Sequence, residues 1–157
     1  MTTRNESNER LIASNKKALH DYHVLQKLEA GIELTGTEVK SLRDKGANLK
    51  DSYVFFKSGE AFLLGAHIAP YSHGNLQNHE PERTRRLLLH AREIEKLEAQ
   101  VVEKGLTIVP LRVYFKGNRV KIEIAVVRGK KLYDKREVEK KREADREAAM
   151  AMKQSRR

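Results

Sequence analysis

The chain lacks cysteine, and this absence excludes disulfide bonds and thiolate metal sites. It also lacks long apolar runs, because no stretch approaches the roughly 20 apolar residues that a membrane-spanning helix needs. The N-terminal sequence MTTRNESNERLIASNKK has no apolar core of the kind found in signal peptides. Together these absences predict a soluble, cytoplasmic protein with no membrane partner.

Sequence motifs of common enzyme classes are missing as well. The chain contains no G-x-S-x-G, no phosphate-binding loop and no G-x-G-x-x-G. The six histidines include one close pair, His20 and His23, whose side chains would point to opposite faces of a strand. The spacing of Glu29, Glu33 and Glu38 does not separate them from ordinary solvated carboxylates. We therefore expect no metal site, no cofactor and no enzymatic activity.

Positive charge, in contrast, is abundant. The 157 residues include 32 Lys and Arg and 22 Asp and Glu, which gives a formal net charge of +10 and a sequence pI of about 9.8. This balance favours polyanionic partners such as nucleic acid or an acidic membrane surface. Hydrophobic residues make up 39% of the chain, which is enough for one domain with a core.

Half of the net charge lies in residues 129–157, which read GKKLYDKREVEKKREADREAAMAMKQSRR. This segment has eleven Lys and Arg and six Asp and Glu, a net charge of +5. Its residues are strong helix formers, but they offer little apolar surface to bury. The composition predicts a tail that is disordered when free and becomes helical on a polyanion. The alternative interpretation is a solvated charged terminus.

Strand signals dominate the rest of the chain. One helix is predicted over 36–43, with Thr37 as its N-cap and Gly46 closing it, and another over 91–104, between His90 and Gly105. Residues 71–82 are polar and predict a loop. Alternating or apolar stretches predict strands at 18–26, 32–34, 52–56, 61–66, 87–89, 106–115 and 120–127.

These strands are joined mainly by short hairpins and not by helical crossovers. We therefore predict a mainly β protein with peripheral helices, built as a small antiparallel β-barrel. Residues 1–14 are expected to form a flexible N-terminus, residues 15–128 the barrel domain and residues 129–157 the basic tail.

Basic residues recur at the ends of the predicted elements. The clusters are Lys16 and Lys17 beside Asn15, Lys40 with Arg43, Lys116 with Arg119, and Lys130, Lys131, Lys135 and Arg136 around Tyr133. Barrels of this size often bind RNA through loops and one face. His20, Tyr22 and Tyr133 are candidates for base or sugar contacts, whereas the aromatic residues within strands are more typical of a core or a sheet surface. Each cluster taken alone also fits ordinary solvated charge.

Four blocks of sequence give a more specific signal. They are NKKALHDY at 15–22, GTEVKSLR at 36–43, LLLH at 87–90 followed by Glu93 and Ile94, and GKKLYDKR at 129–136. In this order and spacing they resemble the SsrA-binding protein family, also called small protein B, of bacterial trans-translation. The resemblance extends over essentially the whole chain.

The resemblance implies a non-enzymatic, monomeric protein with a β-barrel of the oligonucleotide-binding type. Members of the family bind the tRNA-like domain of tmRNA (SsrA RNA). With elongation factor Tu they deliver alanyl-tmRNA to ribosomes stalled on truncated messages. Their C-terminal tail, disordered off the ribosome and helical on it, occupies the empty decoding centre and mRNA channel.

The resemblance also implies site residues. Contacts with tmRNA map onto Asn15, His20, Glu29 and Leu88, and further contacts are expected at Lys16, Lys17, Tyr22, Lys40, Arg43, Lys116 and Arg119. Engagement of the decoding centre maps onto Gly129, Lys130, Lys131, Tyr133, Asp134, Lys135 and Arg136. The family's bulky apolar–Met pair corresponds to Ala151 and Met152, where the alanine departs from the pattern.

Three alternatives to this function stay open. A general single-stranded nucleic-acid barrel would bind unrelated RNA as readily as tmRNA. A ribosome-associated protein would use its basic tail as a permanent part of the assembly. An RNA-processing enzyme would require a catalytic cluster that the sequence does not contain.

Overall fold

The computed structural model describes residues 9–72 and 78–129, together with Arg146. The helices and strands within these ranges are β1 (Glu9–Ser14), α1 (Lys16–Asp21), β2 (Tyr22–Ile32), α2 (Gly36–Asp44), β3 (Ala47–Asn48), β4 (Tyr53–Lys57), β5 (Glu60–Leu64), β6 (His67–Ile68), β7 (Arg85–Leu88), α3 (Ala91–Lys104), β8 (Thr107–Lys116) and β9 (Arg119–Gly129). No helix in the described part of the chain is long and apolar enough to cross a membrane.

Seven strands form one antiparallel sheet, and six of them close into a ring. The ring runs from β8 to β4, β5, β7, β2 and β9, and then back to β8. Strand β1 pairs with the second half of β8, and β3 and β6 form a separate two-stranded sheet. The prediction of a mainly β protein with an antiparallel, closed sheet and peripheral helices is confirmed.

The core fills the inside of this ring. Alternation along the strands turns Leu63, Ile108, Ile122 and Ile124 inward, and each is at most 1% exposed. Helix α3 adds Ile94 and Leu97 to the same core. Burial of side chains of this size typically stabilises a fold by about 1.5–3 kcal/mol each. The apolar side chains packed inside the ring are therefore its main source of stability.

A second apolar cluster lies under α1. Ala18 of α1 packs against Val109 and Leu111 of β8 and Ala125 and Val127 of β9. This cluster docks α1 on the sheet, next to the start of β2. The position of the basic residues on α1 is therefore set by packing and not by their own charge.

Both predicted helices are present, although one has a different N-cap. Helix α3 has the bounds and the N-cap residue expected, and Gly105 ends it in the left-handed conformation that glycine favours, at φ 62°. Thr37 is not the cap of α2. Thr35 is the cap, because its hydroxyl accepts from the Glu38 N–H at 3.4 Å while the Glu38 carboxylate accepts from the Thr35 N–H at 2.9 Å.

The strand predicted over 18–26 is wrong at its start. Residues 16–21 form α1, and β2 begins only at Tyr22. The helix forms because the Asn15 side chain caps it, accepting from the Ala18 N–H at 3.1 Å, and because Ala18 is buried. His20 therefore lies on a helix and His23 on a strand, so the two do not share a strand.

The predicted flexible N-terminus is also wrong for residues 9–14. These residues form β1, whose backbone pairs with β8 from Glu9 opposite Lys116 to Ser14 opposite Arg112. The segment has little apolar periodicity of its own, and its extended form depends on a partner far along the chain. Residues 1–8 lie outside the described residues.

The two predicted hairpins are confirmed, in β4–β5 and β8–β9. The described parts of the predicted loop, residues 71–72 and 78–82, contain no helix or strand. Strand β9 extends through Gly129, which pairs with Tyr22, so the sheet ends one residue later than the predicted boundary.

Candidate nucleic-acid interface

A groove of about 730 Å³ opens where β2 and β7 meet the start of α3. Its lining includes Glu29 and Gly31 of β2, Leu88 of β7 and Lys121 of β9, together with His90, the N-cap of α3. The register explains this grouping, because Gly31 pairs with Leu88 on one side and with Lys121 on the other. The structure thus brings together two residues that the sequence analysis placed at the RNA interface, Glu29 and Leu88.

Gly31 allows Leu88 to lie close over β2. A Cβ atom at Gly31 would stand 3.0 Å from the Leu88 Cβ, closer than side chains ordinarily approach. Leu88 is nevertheless 50% exposed, so it forms an apolar surface within a groove that also contains charged groups.

Glu29 is held by groups from β8. The Tyr114 hydroxyl donates to Oε2 of Glu29, and the Lys116 Nζ lies 3.5 Å from Oε1. Burial alone would raise the pKa of Glu29, but the Tyr114 hydrogen bond and the positive charges of Lys116 and Lys121 bring this pKa below its ordinary value. The site therefore presents a stable carboxylate with adjacent cations.

A second, smaller groove of about 200 Å³ lies at the other end of β2. Asn15, Lys17 and Tyr22 line it together with Asp51 and Tyr53. Lys17 donates to the Asp51 carboxylate at 2.6 Å, and both side chains are exposed. Surface pairs of this kind contribute little stability, so a phosphate can replace Asp51 at low cost.

The remaining predicted residues of α1 face solvent. Lys16 is exposed, and the exposed His20 ring lies with its Nδ1 3.1 Å from the carboxylate of Asp21. Lys16, Lys17 and His20 are thus available on the short helix next to the second groove.

Asn15 has an internal role. It is only 4% exposed; its oxygen caps α1, and its amide nitrogen donates to the carbonyls of Leu49 at 3.2 Å and Pro110 at 2.9 Å. These bonds join α1 to β8 and to the segment before β4. A direct contact between Asn15 and RNA stays a prediction.

Strand β2 separates the two grooves. Tyr22 and Glu29 are seven positions apart, which corresponds to about 23 Å at the usual rise of a strand. A ligand that touches both grooves must therefore be macromolecular.

The basic pair on α2 lies over aromatic rings. The Lys40 Nζ is 5.8 Å from the centre of the Tyr71 ring, and the Arg43 guanidinium is 5.4 Å from that of Phe115. Phe115 immediately precedes Lys116, which pairs with Arg119 at the β8–β9 turn. The structure thus places Arg43 beside the predicted basic turn.

Of the predicted tail residues, Gly129 alone is described, and it lies opposite Tyr22 at the end of β9. Gly129, the last residue of β9, therefore lies beside the second groove. Lys130, Lys131, Tyr133, Asp134, Lys135, Arg136 and Met152 lie outside the described residues.

The interpretation of Glu38 as a solvated carboxylate is wrong. Its side chain is fully buried and accepts from the Nε of Arg85, also fully buried, and from the Nη2 of Arg83 at 2.6 Å. Burial alone would raise its pKa, but the hydrogen bonds from Arg83, the Thr35 backbone and Arg85 lower that pKa below its ordinary value. The network fixes α2, and with it Lys40 and Arg43, against β7.

Sequence reasoning did not single out Gly31, Tyr114 or Lys121 for this interface. In the sequence, Tyr114 and Lys121 look like ordinary residues of alternating strands. Only the closure of the ring brings them near Glu29. In residues 9–72 and 78–129, no three His, Asp or Glu side chains are grouped so that they could hold a metal ion.

The model of the SmpB protein family matches residues 12–154 of the chain. The chain belongs to the SmpB family. The SsrA-binding protein of Syntrophobacter fumaroxidans is 59% identical over 138 residues, which cover 88% of this chain and 86% of that protein. The SsrA-binding protein of Thermosipho africanus is 56% identical over 148 residues, covering 94% and 99%.

A solved structure supports the same assignment. The chain is similar to one described as "tmRNA-SmpB: a journey to the center of the bacterial ribosome", with a TM-score of 0.65 and 43% identity. The match covers 76% of this chain and 85% of that one. The resemblance to the SmpB family that the four sequence blocks indicated is confirmed.

Proposed function

We propose that the chain binds the tRNA-like domain of tmRNA and delivers it to stalled ribosomes, where trans-translation tags incomplete peptides for degradation. Membership in the SmpB family carries this proposal, because the match extends over residues 12–154 and includes both the ring and the basic tail. The relatives are named SsrA-binding proteins, and the similar solved structure pairs tmRNA with SmpB on the bacterial ribosome.

The chemistry of the larger groove suits an RNA that is folded but has unpaired bases. A tRNA-like RNA is recognised by shape, by its 2′-hydroxyls and by bases that leave the stack. Leu88 offers apolar contact to a base, Glu29 accepts from an amino group or a 2′-hydroxyl, and Lys116 and Lys121 lie beside it for phosphates. The ring is accordingly proposed to be of the oligonucleotide-binding type.

The second groove supplies a separate contact. Lys16, Lys17, His20 and Tyr22 are proposed to bind the RNA backbone at the α1 end of β2, about 23 Å from Glu29. Lys40 and Arg43, with Lys116 and Arg119, add phosphate contacts near the β8–β9 turn. Contacts spaced in this way select a shape and do not read a duplex groove.

The tail is proposed to act after delivery. Residues 130–157 follow β9 as a basic extension, and they are proposed to be disordered when free and to fold as a helix in the mRNA channel. Gly129 to Lys131, Tyr133 to Arg136 and Met152 are assigned to contacts with the decoding centre and the channel. Residues 9–129 then form the RNA-binding domain, which acts as a monomer with alanyl-tmRNA and elongation factor Tu.

A gel-shift competition tests this function. A labelled tRNA-like domain bound to the chain is challenged with the unlabelled domain or with a duplex RNA of equal length. The chain is expected to prefer the tRNA-like domain. Equal competition by the duplex would replace the proposal with a general nucleic-acid-binding barrel.

Glu29→Arg separates specific recognition from charge attraction. The substitution adds positive charge, which alone would strengthen binding to any RNA. We expect weaker binding to the tRNA-like domain, because the carboxylate acceptor is lost. Glu103→Arg, the same charge change at an exposed site near the end of α3, is the matched control and should not weaken binding. If the two variants behave alike, Glu29 makes no specific contact.

A further inference from the structure

Tyr114 is a buried tyrosine with a polar partner at the groove. The residue is 2% exposed, and its hydroxyl donates to Oε2 of Glu29. Tyr114 belongs to β8 and Glu29 to β2, with β9 between them. The tyrosine side chain therefore reaches across β9 to a carboxylate on the next strand.

The Tyr114 ring is itself held in place. The Arg112 guanidinium lies 4.8 Å from the ring centre, and Arg112 donates to the Glu123 carboxylate at 3.2 Å. Arg112 and Glu123 are directly opposite in the β8–β9 register, and Glu29 is opposite Glu123 on the other side. Pairing of three strands thus fixes the distance between the hydroxyl and Glu29.

We infer that Tyr114 is a positioning residue for RNA recognition, which holds the Glu29 carboxylate in the orientation that accepts hydrogen bonds from the RNA. The inference rests on the proposed function. A carboxylate has about four acceptor positions, and Tyr114 uses one of them. Lys116 lies at 3.5 Å from the other oxygen, so acceptor positions remain open toward the groove that Leu88 and Lys121 also line.

The need for a positioning group follows from the freedom of Glu29. Its side chain is 38% exposed, and a glutamate side chain with no fixed partner samples many rotamers. Ordering it only when RNA binds would reduce affinity, whereas the Tyr114 bond orders it beforehand.

The charged groups around Glu29 set its response to pH. Lys116 of β8 and Lys121 of β9 lie near it and favour the carboxylate, Glu123 is its register neighbour, and Glu9 of β1 acts on Tyr114. Loss of the Tyr114 hydroxyl leaves both cations in place but removes one of the groups that lower the pKa of Glu29. That pKa is therefore expected to rise in Y114F, by an amount that the cations limit.

A double-mutant cycle tests the inference. Binding of the tRNA-like domain is measured at pH 7 and fixed salt for the parental chain, Y114F, E29Q and Y114F/E29Q. Y114F should weaken binding about tenfold, as expected for a hydrogen bond to a charged group. In the E29Q background the same change should cost about twofold or less, because the carboxylate that it positions is already gone. Glu103→Gln, which removes an exposed carboxylate near the end of α3, is the control and should bind like the parent.

A pH series adds a second readout, the pH at which RNA binding begins to decline. Loss of packing alone would not change this pH. Acidification weakens binding as Glu29 takes up a proton, and this decline should begin at higher pH in Y114F than in the parent. E29Q, which keeps every histidine, should lack that part of the decline. Carboxyl NMR gives the Glu29 pKa in the parental chain and in Y114F, and an equal pKa in the two chains would overturn the inference.

Three results would overturn it in the cycle. They are RNA binding by Y114F that is no weaker than that of the parent, an equal loss of binding with and without E29Q, and a loss of binding only in proportion to a lower urea midpoint. If the parental chain shows no preference for the tRNA-like domain, the proposed function fails and this inference falls with it, which is evident before any variant is compared.

Discussion

Glu38 joins α2 to β7 through the buried Arg85. Its carboxylate caps the helix through Thr35 and pairs with Arg85 inside the protein. Glu38→Ala is expected to lower the free energy of unfolding by about 3–5 kcal/mol, because it leaves a buried guanidinium without its partner. Urea unfolding at pH 7 measures this. Glu33→Ala, at an exposed residue 3.9 Å from Arg86, should cost less than about 1 kcal/mol.

The same residue gives stability a defined dependence on pH. The pKa of Glu38 is lower in the folded chain than in the unfolded chain, so its contribution is fully present above the unfolded pKa of about 4.3. The contribution is lost as the pH falls through the lower, folded pKa. Glu38→Gln should therefore be less stable than the parent at pH 7, and its stability should fall less between pH 5 and pH 3. An equal decline in both chains would assign the acid sensitivity to other groups.

A variant of Asn15 tests whether this residue, which is predicted to contact RNA, affects RNA binding only by stabilising the fold. Asn15→Ala should lower the free energy of unfolding by about 1–2 kcal/mol, because the α1 cap is lost and two buried carbonyls lose a donor. It should also weaken RNA binding, because α1 carries Lys16, Lys17 and His20. Urea unfolding and gel shifts on the same preparation separate the two effects. Weaker binding at unchanged stability would show that Asn15 contacts RNA directly.

At the scale of elements, the tail is separable from the ring. Strand β9 ends at Gly129, so a chain ending there keeps every strand pair described. This truncated chain should have the urea midpoint of the full chain and most of its affinity for the tRNA-like domain, with a modest loss because half of the net charge is removed. A large drop in the midpoint would show that the tail packs on the ring.

The elements that the sequence predicts correctly carry their signals locally. Helix α3 has an apolar stripe, Glu93 three residues after His90, and Gly105 at its end. The two hairpins combine alternating strands with glycine turns. These features depend on neighbours within a few residues, so the sequence alone locates them.

The elements and site residues that the sequence does not predict depend on distant partners. Strand β1 needs β8, α1 needs the carbonyl of Pro110 and the apolar surface of β8 and β9, and Glu38 needs Arg85. The family resemblance, which the four blocks carry, identifies Glu29 and Leu88 as site residues. Tyr114 becomes part of the site only because ring closure brings β8 within reach of β2.

At the scale of the whole molecule, the chain combines a rigid ring with a strongly basic extension. The ring presents two grooves at the two ends of β2, and Gly129, after which the basic extension follows in sequence, lies beside the second of them. This arrangement suits a protein that holds a folded RNA with one part and inserts the other into a ribosomal channel. Neither part alone is expected to rescue a stalled ribosome.

The same separation predicts the behaviour of a minimal tail variant. Replacement of Asp134, Lys135 and Arg136 together by alanine leaves the ring untouched and changes the net charge by only one unit. Affinity for the tRNA-like domain should stay within a small factor of the parent, whereas ribosome rescue should fail. Loss of RNA affinity in a gel shift would place these residues at the tmRNA interface instead.

Peptide tagging with purified ribosomes, a truncated message, alanyl-tmRNA and elongation factor Tu tests the central claim most directly. The full chain should support addition of the tag to the stalled peptide, and the chain ending at Gly129 should bind tmRNA but give no tagged product. Absence of tagging with the full chain would contradict a role in trans-translation. Normal tagging with the truncated chain would contradict the decoding role of the tail and leave it a solvated charged terminus.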